Sequence, residues 1–253
     1  MNTVHARRIV SSHKRGSSWP IVAETEEGRF LVKLRGAAQG TAALVAEVMV
    51  AELADALGLA VPRRALLHLD AGVENADRDQ ELGDLLRASQ GLNLGFRFLE
   101  GAREIGPEEA ATTSDEFACP VLWLDGLVMN PDRTPNNPNV LVAEGRSWLI
   151  DHGAALPFQY AWGAVTEDSP RSPAYPLDRH LFAARADRLR DWDERLAARL
   201  TREVVDDAVA QVPADFLAPL LGRALDADRL RRRRGAYHAF LWKRLKPPRP
   251  FVD

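Results

Sequence analysis

Between Asn130 and Asn139 the chain reads Asn-Pro-Asp-Arg-Thr-Pro-Asn-Asn-Pro-Asn, and two short apolar runs later it reads Ile150-Asp151-His152-Gly153. These residue types suit phosphoryl transfer. ATP brings a polyanion that must be neutralised and held in line with an acceptor hydroxyl. Mg²⁺ takes hard oxygen ligands, so an aspartate carboxylate and an asparagine amide oxygen match it. A separate aspartate beside the acceptor can take or orient its proton. The two apolar runs read as a hairpin, whose return strand brings its end back beside the preceding loop. Asp132 is then the expected base and Asp151 the principal metal ligand. A carboxylate at the mouth of an apolar strand, as Asp151 is, is costly unless it is paired or metal-bound.

The second metal ligand is Asn137 or Asn139. Asn137 lies five residues after Asp132, the spacing of a protein-kinase catalytic loop, whereas Asn139 is the residue that runs directly into the strand. Both readings stay open. Lys33 ends the run Phe30-Leu-Val-Lys, where alternation puts Leu31 and Lys33 on one face and Phe30 and Val32 on the other. A following helix carries Glu47, which can pair with Lys33 while the lysine holds the α- and β-phosphates. Gly16, Ser17 and Ser18 would form the turn that covers the phosphates, although a single glycine is a weak version of such a turn. The reading requires Lys33, Glu47, Asp132 and Asp151 to meet in one cleft. Arg133 either neutralises phosphate or pairs with an acid beside the loop.

The elements that must position these residues follow from periodicity. Strands are expected over residues 6–11, 20–24, 29–34 and 61–69, with an apolar extended segment over 91–101. Residues 41–57 repeat apolar positions at three- and four-residue steps and end before Gly58, a helix with a glycine C-cap. Residues 71–86 are polar and weakly helical. A second apolar helix covers 113–129, the hairpin strands cover 140–143 and 147–150, and from Leu177 onward the pattern is helical, broken at Pro213 and Pro219. The fold class is therefore α+β. A small β-rich N-lobe with one main helix spans residues 1–99, and a mostly helical C-lobe spans 100–253.

Composition narrows the class further. A hydrophobic fraction of 46% supports a buried core, and a net charge of −3 argues against direct nucleic-acid binding. The run Arg231 to Arg234 follows Asp226 and Asp228 and reads as a solvated helix face. One cysteine, Cys119, cannot form an internal disulfide and reads as a small buried apolar residue, in keeping with a reducing cytoplasm. No long uncharged apolar stretch argues for a membrane span. No pair of His, Cys or Asp residues has zinc-site spacing. His180 reads as a cap-region or core histidine, and Trp192, Tyr237, Phe240 and Trp242 as core.

Taken together, Phe30 to Lys33, the segment from Glu47 through Gly58-Leu-Ala-Val-Pro62, the loop Asn130 to Asn139, Ile150 to Gly153 and the late helix from Tyr237 to Leu245 resemble a HipA-like kinase of compact form. The resemblance implies a two-lobed protein-kinase-like fold, ATP and Mg²⁺ as cofactors, and serine/threonine kinase activity. It also implies an antitoxin partner and regulation by phosphorylation in the covering turn, where Ser17 and Ser18 lie. The fold so implied is related to phosphatidylinositol kinases, whose loop has an Asp-Arg-His character; here Thr134 follows Asp132-Arg133, so a histidine role in the loop does not carry over. The acceptor, protein or small molecule, is not encoded. A small-molecule kinase of the aminoglycoside-phosphotransferase type would need an acidic pocket, for which Asp178, Asp187 and Asp191 are the candidates. A nucleotide-binding scaffold is the reading from outside the enzymes.

Overall fold

The computed structural model describes residues 1–13, 19–173, 177–221 and 226–252. Ten strands and eight α-helices are named here in chain order. The strands are β1 (Thr3–His5), β2 (Arg8–Ser12), β3 (Ile21–Thr25), β4 (Gly28–Lys33), β5 (Arg64–Leu69), β6 (Glu74–Asn75), β7 (Gly91–Arg97), β8 (Arg103–Glu104), β9 (Val140–Ala143) and β10 (Arg146–Leu149). The helices are α1 (Gly40–Ala56), α2 (Gln80–Ala88), α3 (Pro107–Thr112), α4 (Asp115–Val128), α5 (Leu189–Ala197), α6 (Arg202–Ala210), α7 (Ala214–Leu217) and α8 (Ala227–Leu245). The fold is α+β, a sheet-built N-terminal part followed by a mostly helical remainder.

The large sheet runs β1-β5-β7-β4-β3-β2-β6, and a second sheet runs β10-β9-β8. In the large sheet β4 lies between β3 and β7, with Lys33 opposite Leu94 and Leu31 opposite Phe96. Alternation therefore sends Phe30 and Val32 to one apolar layer, with Leu67 and α2's Leu82, while Leu94 and Phe96 join the layer that contains α1. The strand expected over 6–11 is β2, at Arg8–Ser12, and a further strand before it, β1 at Thr3–His5, was not expected. β1 pairs in parallel with β5, whereas β2 pairs antiparallel with β3. A parallel partner 63 residues downstream leaves no local signature in the sequence around β1.

α1 is apolar on nearly every side, and Thr41 to Ala51 are all buried. A helix of that kind belongs in an interior. It is covered on one side by β7 of the sheet and on the other by α6 and α7. Gly58, at φ +80°, follows the last helical turn as expected of a C-cap glycine. The weakly helical stretch resolves into α2, whose N-cap Asp79 accepts hydrogen bonds from the N–H groups of Glu81 and Leu82. The late helical region is less regular than its pattern suggests, because residues 177–188 form short 3₁₀ turns before α5 begins.

Candidate active site

Lys33 is at the C-terminal end of β4, Glu47 is in the middle of α1, and Asp151 follows β10. Three unconnected elements thus carry the polar groups of one cleft. Lys33 Nζ donates to Glu47 Oε1 and, at 2.5 Å, to Asp151 Oδ1. Burial would lower the Lys33 pKa, but the two carboxylates outweigh it and hold the ammonium above its ordinary value. Lys33 pulls Asp151 below the usual carboxylate range against the effect of its burial. Glu47, fully buried, is pushed up by desolvation, with Lys33 drawing it back. The Lys33–Asp151 contact is an ion pair, and it is open on one side: the Asp151 side chain is 40% exposed.

Asp151 takes φ +55°, a left-handed backbone that a non-glycine residue rarely adopts. Two residues on, Gly153 is close to α1: a Cβ there would meet Ala43 and Glu47 Oε1, each at 3.3 Å. The Asp-His-Gly turn can therefore press against the helix only because its last residue has no side chain.

The loop from Asn130 to Asn139 packs beneath this turn. Asn137 Nδ2 and Asn139 Nδ2 both donate to the Asp132 carbonyl, at 3.0 and 3.2 Å. Asn139 sits at φ +49°, one of the few non-glycine types that tolerates it, and its carbonyl accepts from the Ile150 N–H at 3.1 Å. Partial burial raises the Asp132 pKa, and the nearby Asp151 charge adds to it, against the amides of Asn137 and Asn139. The two aspartates are thus close enough to feel one another.

Arg133 settles one alternative. It is fully buried and committed to protein partners, donating through Nε to Asp125 Oδ2 at 2.5 Å and through Nη1 to the carbonyls of Asn139 and Ile150. It is a structural tie between α4, the loop and the end of β10. His180 joins the same group, with Nε2 2.9 Å from Asp125 Oδ2 while Nδ1 accepts the Phe182 N–H. The second contact makes Nε2 the protonated nitrogen and the donor to Asp125. Asp125 itself is held well below the usual carboxylate range: Arg133 and His180 overcome the cost of its burial. Sequence reasoning missed Asp125. The signal was present, since it is the lone acid in the apolar run from Val121 to Val128, and a charge on such a face has to be paired.

Gly16, Ser17 and Ser18 lie outside the described residues. They fall between β2 and β3, whose last described pair is Ser12 with Ile21. A model of HipA-like kinases matches residues 6–217 of the chain. The chain belongs to the HipA-like kinase family. Among solved structures, the Helicobacter pylori proinflammatory kinase CtkA is similar in fold, with a TM-score of 0.54 over 92% of each chain at 11% sequence identity. No curated protein matches. As a HipA-like kinase the chain is a kinase of α+β fold, and its family match runs from the residue after β1 to the end of α7, taking in Lys33, Glu47, Asp132, Asn137, Asn139 and Asp151. No helix among the described residues is long and apolar enough to cross a membrane.

Proposed function

We propose that the chain is an ATP- and Mg²⁺-dependent phosphotransferase that acts as a serine/threonine protein kinase. The observation that carries this reading is Lys33 Nζ held between the carboxylates of Glu47 and Asp151. A fixed cation beside an ionised, partly open carboxylate is what a polyphosphate and its metal need. The donor set fits Mg²⁺, because Asp151 offers a carboxylate oxygen and Asn137 and Asn139 use their amide nitrogens on Asp132, so each would offer its oxygen.

In this reading Asp151 with Asn137 or Asn139 would hold the metal, which would supply neutralisation of phosphate charge. Lys33 donates to the α- and β-phosphate oxygens, and Glu47 keeps its ammonium aimed there. Asp132 orients the acceptor hydroxyl and takes its proton as the new bond to phosphorus forms and the bond to the β–γ bridging oxygen breaks. The lobes divide at residues 99 and 100, with the cleft between them. A protein acceptor is favoured because Asp178, Asp187 and Asp191, the acids that a small cationic acceptor would require in a pocket, are all exposed. Under the same reading the chain works in the cytoplasm and answers to an antitoxin.

The test is transfer of label from γ-labelled ATP to proteins of a cell extract. Wild type should label serine or threonine, and Asp132→Ala and Asp151→Ala should lose at least about a hundredfold in rate. Label on an aminoglycoside and none on protein would favour the small-molecule kinase. Nucleotide binding without any phosphorylated product would leave only the scaffold. Absence of phosphate on Ser17 and Ser18 by mass spectrometry would dispose of self-regulation at that turn.

A further inference from the structure

Strand β1 forms one edge of the large sheet, with β5 and β7 between it and the β4 strand that carries Lys33. Its parallel register with β5 sets His5 directly beside His68, and Asp70, two residues after His68, directly follows β5. We propose that His5, His68 and Asp70 form a binding site for a divalent transition-metal ion, Zn²⁺ in particular.

The donor atoms are already gathered. Asp70 turns one oxygen to each histidine, Oδ1 3.0 Å from His68 Nδ1 and Oδ2 3.4 Å from His5 Nδ1. All three ligand atoms lie within 4.8 Å of one another. Zinc bound tetrahedrally at about 2.0–2.1 Å from nitrogen and oxygen spaces its ligand atoms about 3.3 Å apart. Each imidazole nitrogen has an oxygen of Asp70 close to that distance, a different oxygen for each ring, so binding through one oxygen requires a rotation of the carboxylate.

The nitrogen of His68 supplies the independent argument. Nδ1 is buried and makes no hydrogen bond, although a carboxylate oxygen is 3.0 Å away. A buried ring nitrogen that faces a carboxylate at ion-pair distance without a hydrogen bond needs an explanation, and an ion between the ring and the carboxylate provides one. Two imidazoles and one carboxylate select against Mg²⁺ and Ca²⁺, which prefer oxygen, and toward zinc. The side chains of His5 and Asp70 are 60% and 57% exposed, so an ion enters from solvent and keeps a position for water. The site joins β1 to β5, a pairing of only three residues on each strand. Metal bound there holds the edge strand to the sheet. The three donors are 63 and 2 residues apart in sequence, a spacing that no zinc motif contains. Only the parallel strand pairing brings them together.

The experiment is titration of the full chain, stripped with chelator, with Zn²⁺ by calorimetry and with Co²⁺ by visible absorption, alongside thermal unfolding with and without Zn²⁺. His5→Ala, Asp70→Asn and Asp151→Asn are run in parallel, with circular dichroism in metal-free buffer to establish that each is folded. Wild type and Asp151→Asn should bind one equivalent, show the intense visible band of tetrahedral cobalt and melt at higher temperature with Zn²⁺. His5→Ala and Asp70→Asn should bind at least about tenfold more weakly and lose the melting shift. Absence of saturable binding in wild type would overturn the site. So would undiminished binding in folded His5→Ala and Asp70→Asn, or binding that disappears with Asp151 instead.

Discussion

Lys33 is an ammonium almost sealed from solvent, and it is tolerable there because two carboxylates face it. Its removal leaves Glu47 as a buried carboxylate with no counter-charge. Breaking a buried pair from one side costs about 3–5 kcal/mol, whereas removing both charges costs far less. Lys33→Ala is therefore expected to lose about that much stability in urea denaturation, and adding Glu47→Gln to it should return most of the loss. Equal stability of the single and double variants would mean that Glu47 gains another partner. Lys33's face of the strand was legible from alternation alone, and the register of β4 against β7 agrees with it. Arg133 was not legible at all. Its type suits phosphate as well as aspartate, and only complete burial beside Asp125 decides between them.

At the scale of elements, Asp125 on α4, Arg133 in the loop and His180 in the 3₁₀ region tie three segments together around one carboxylate. The packing holds His180 neutral: burial lowers its pKa despite the Asp125 charge, and Nδ1 is occupied by the Phe182 N–H. Unfolding frees the ring to take a proton at about pH 6.5. The unfolded state then binds more protons than the folded one, so stability is complete above about pH 6.5 and falls by about 1.4 kcal/mol per pH unit as the pH drops toward the folded pKa. His152, held down to about 3 by burial, acts with the same sign. Urea midpoints at pH 7 and pH 5.5 should show this loss, and His180→Gln should reduce the slope. A slope unchanged by that substitution would mean that His180 already titrates normally in the folded protein. Hairpin β9–β10 was readable in advance from its two short apolar runs and the Glu144-Gly145 turn. The 3₁₀ region was not, because its helical spacing is real but its irregularity comes from wrapping Arg133 and Asp125.

The whole molecule is built so that a sheet strand, a buried helix and a hairpin end converge. A ligand that binds only the folded form raises stability by mass action, about 2.7 kcal/mol at a hundred times its Kd. Mg²⁺ with ATP should therefore raise the melting temperature of the wild type, and Asp151→Ala should lose the Mg²⁺-dependent part of that shift. An equal shift in the variant would move the metal away from Asp151. What the amino-acid order determined by itself was local: the periods of strands and helices, the hairpin, the glycine cap, and the residue types that phosphoryl transfer needs. Those depend on neighbours within a few residues, where backbone geometry and side-chain alternation are encoded. The meeting of Glu47 and Asp151 on Lys33 was expected from residue types and is borne by the fold, whereas tertiary structure alone decided that Asp125 meets Arg133 and that Asp70 lies between two histidines on parallel strands. Such contacts join residues tens of positions apart, and long-range register is set by the packing of whole faces, which no short window of sequence contains.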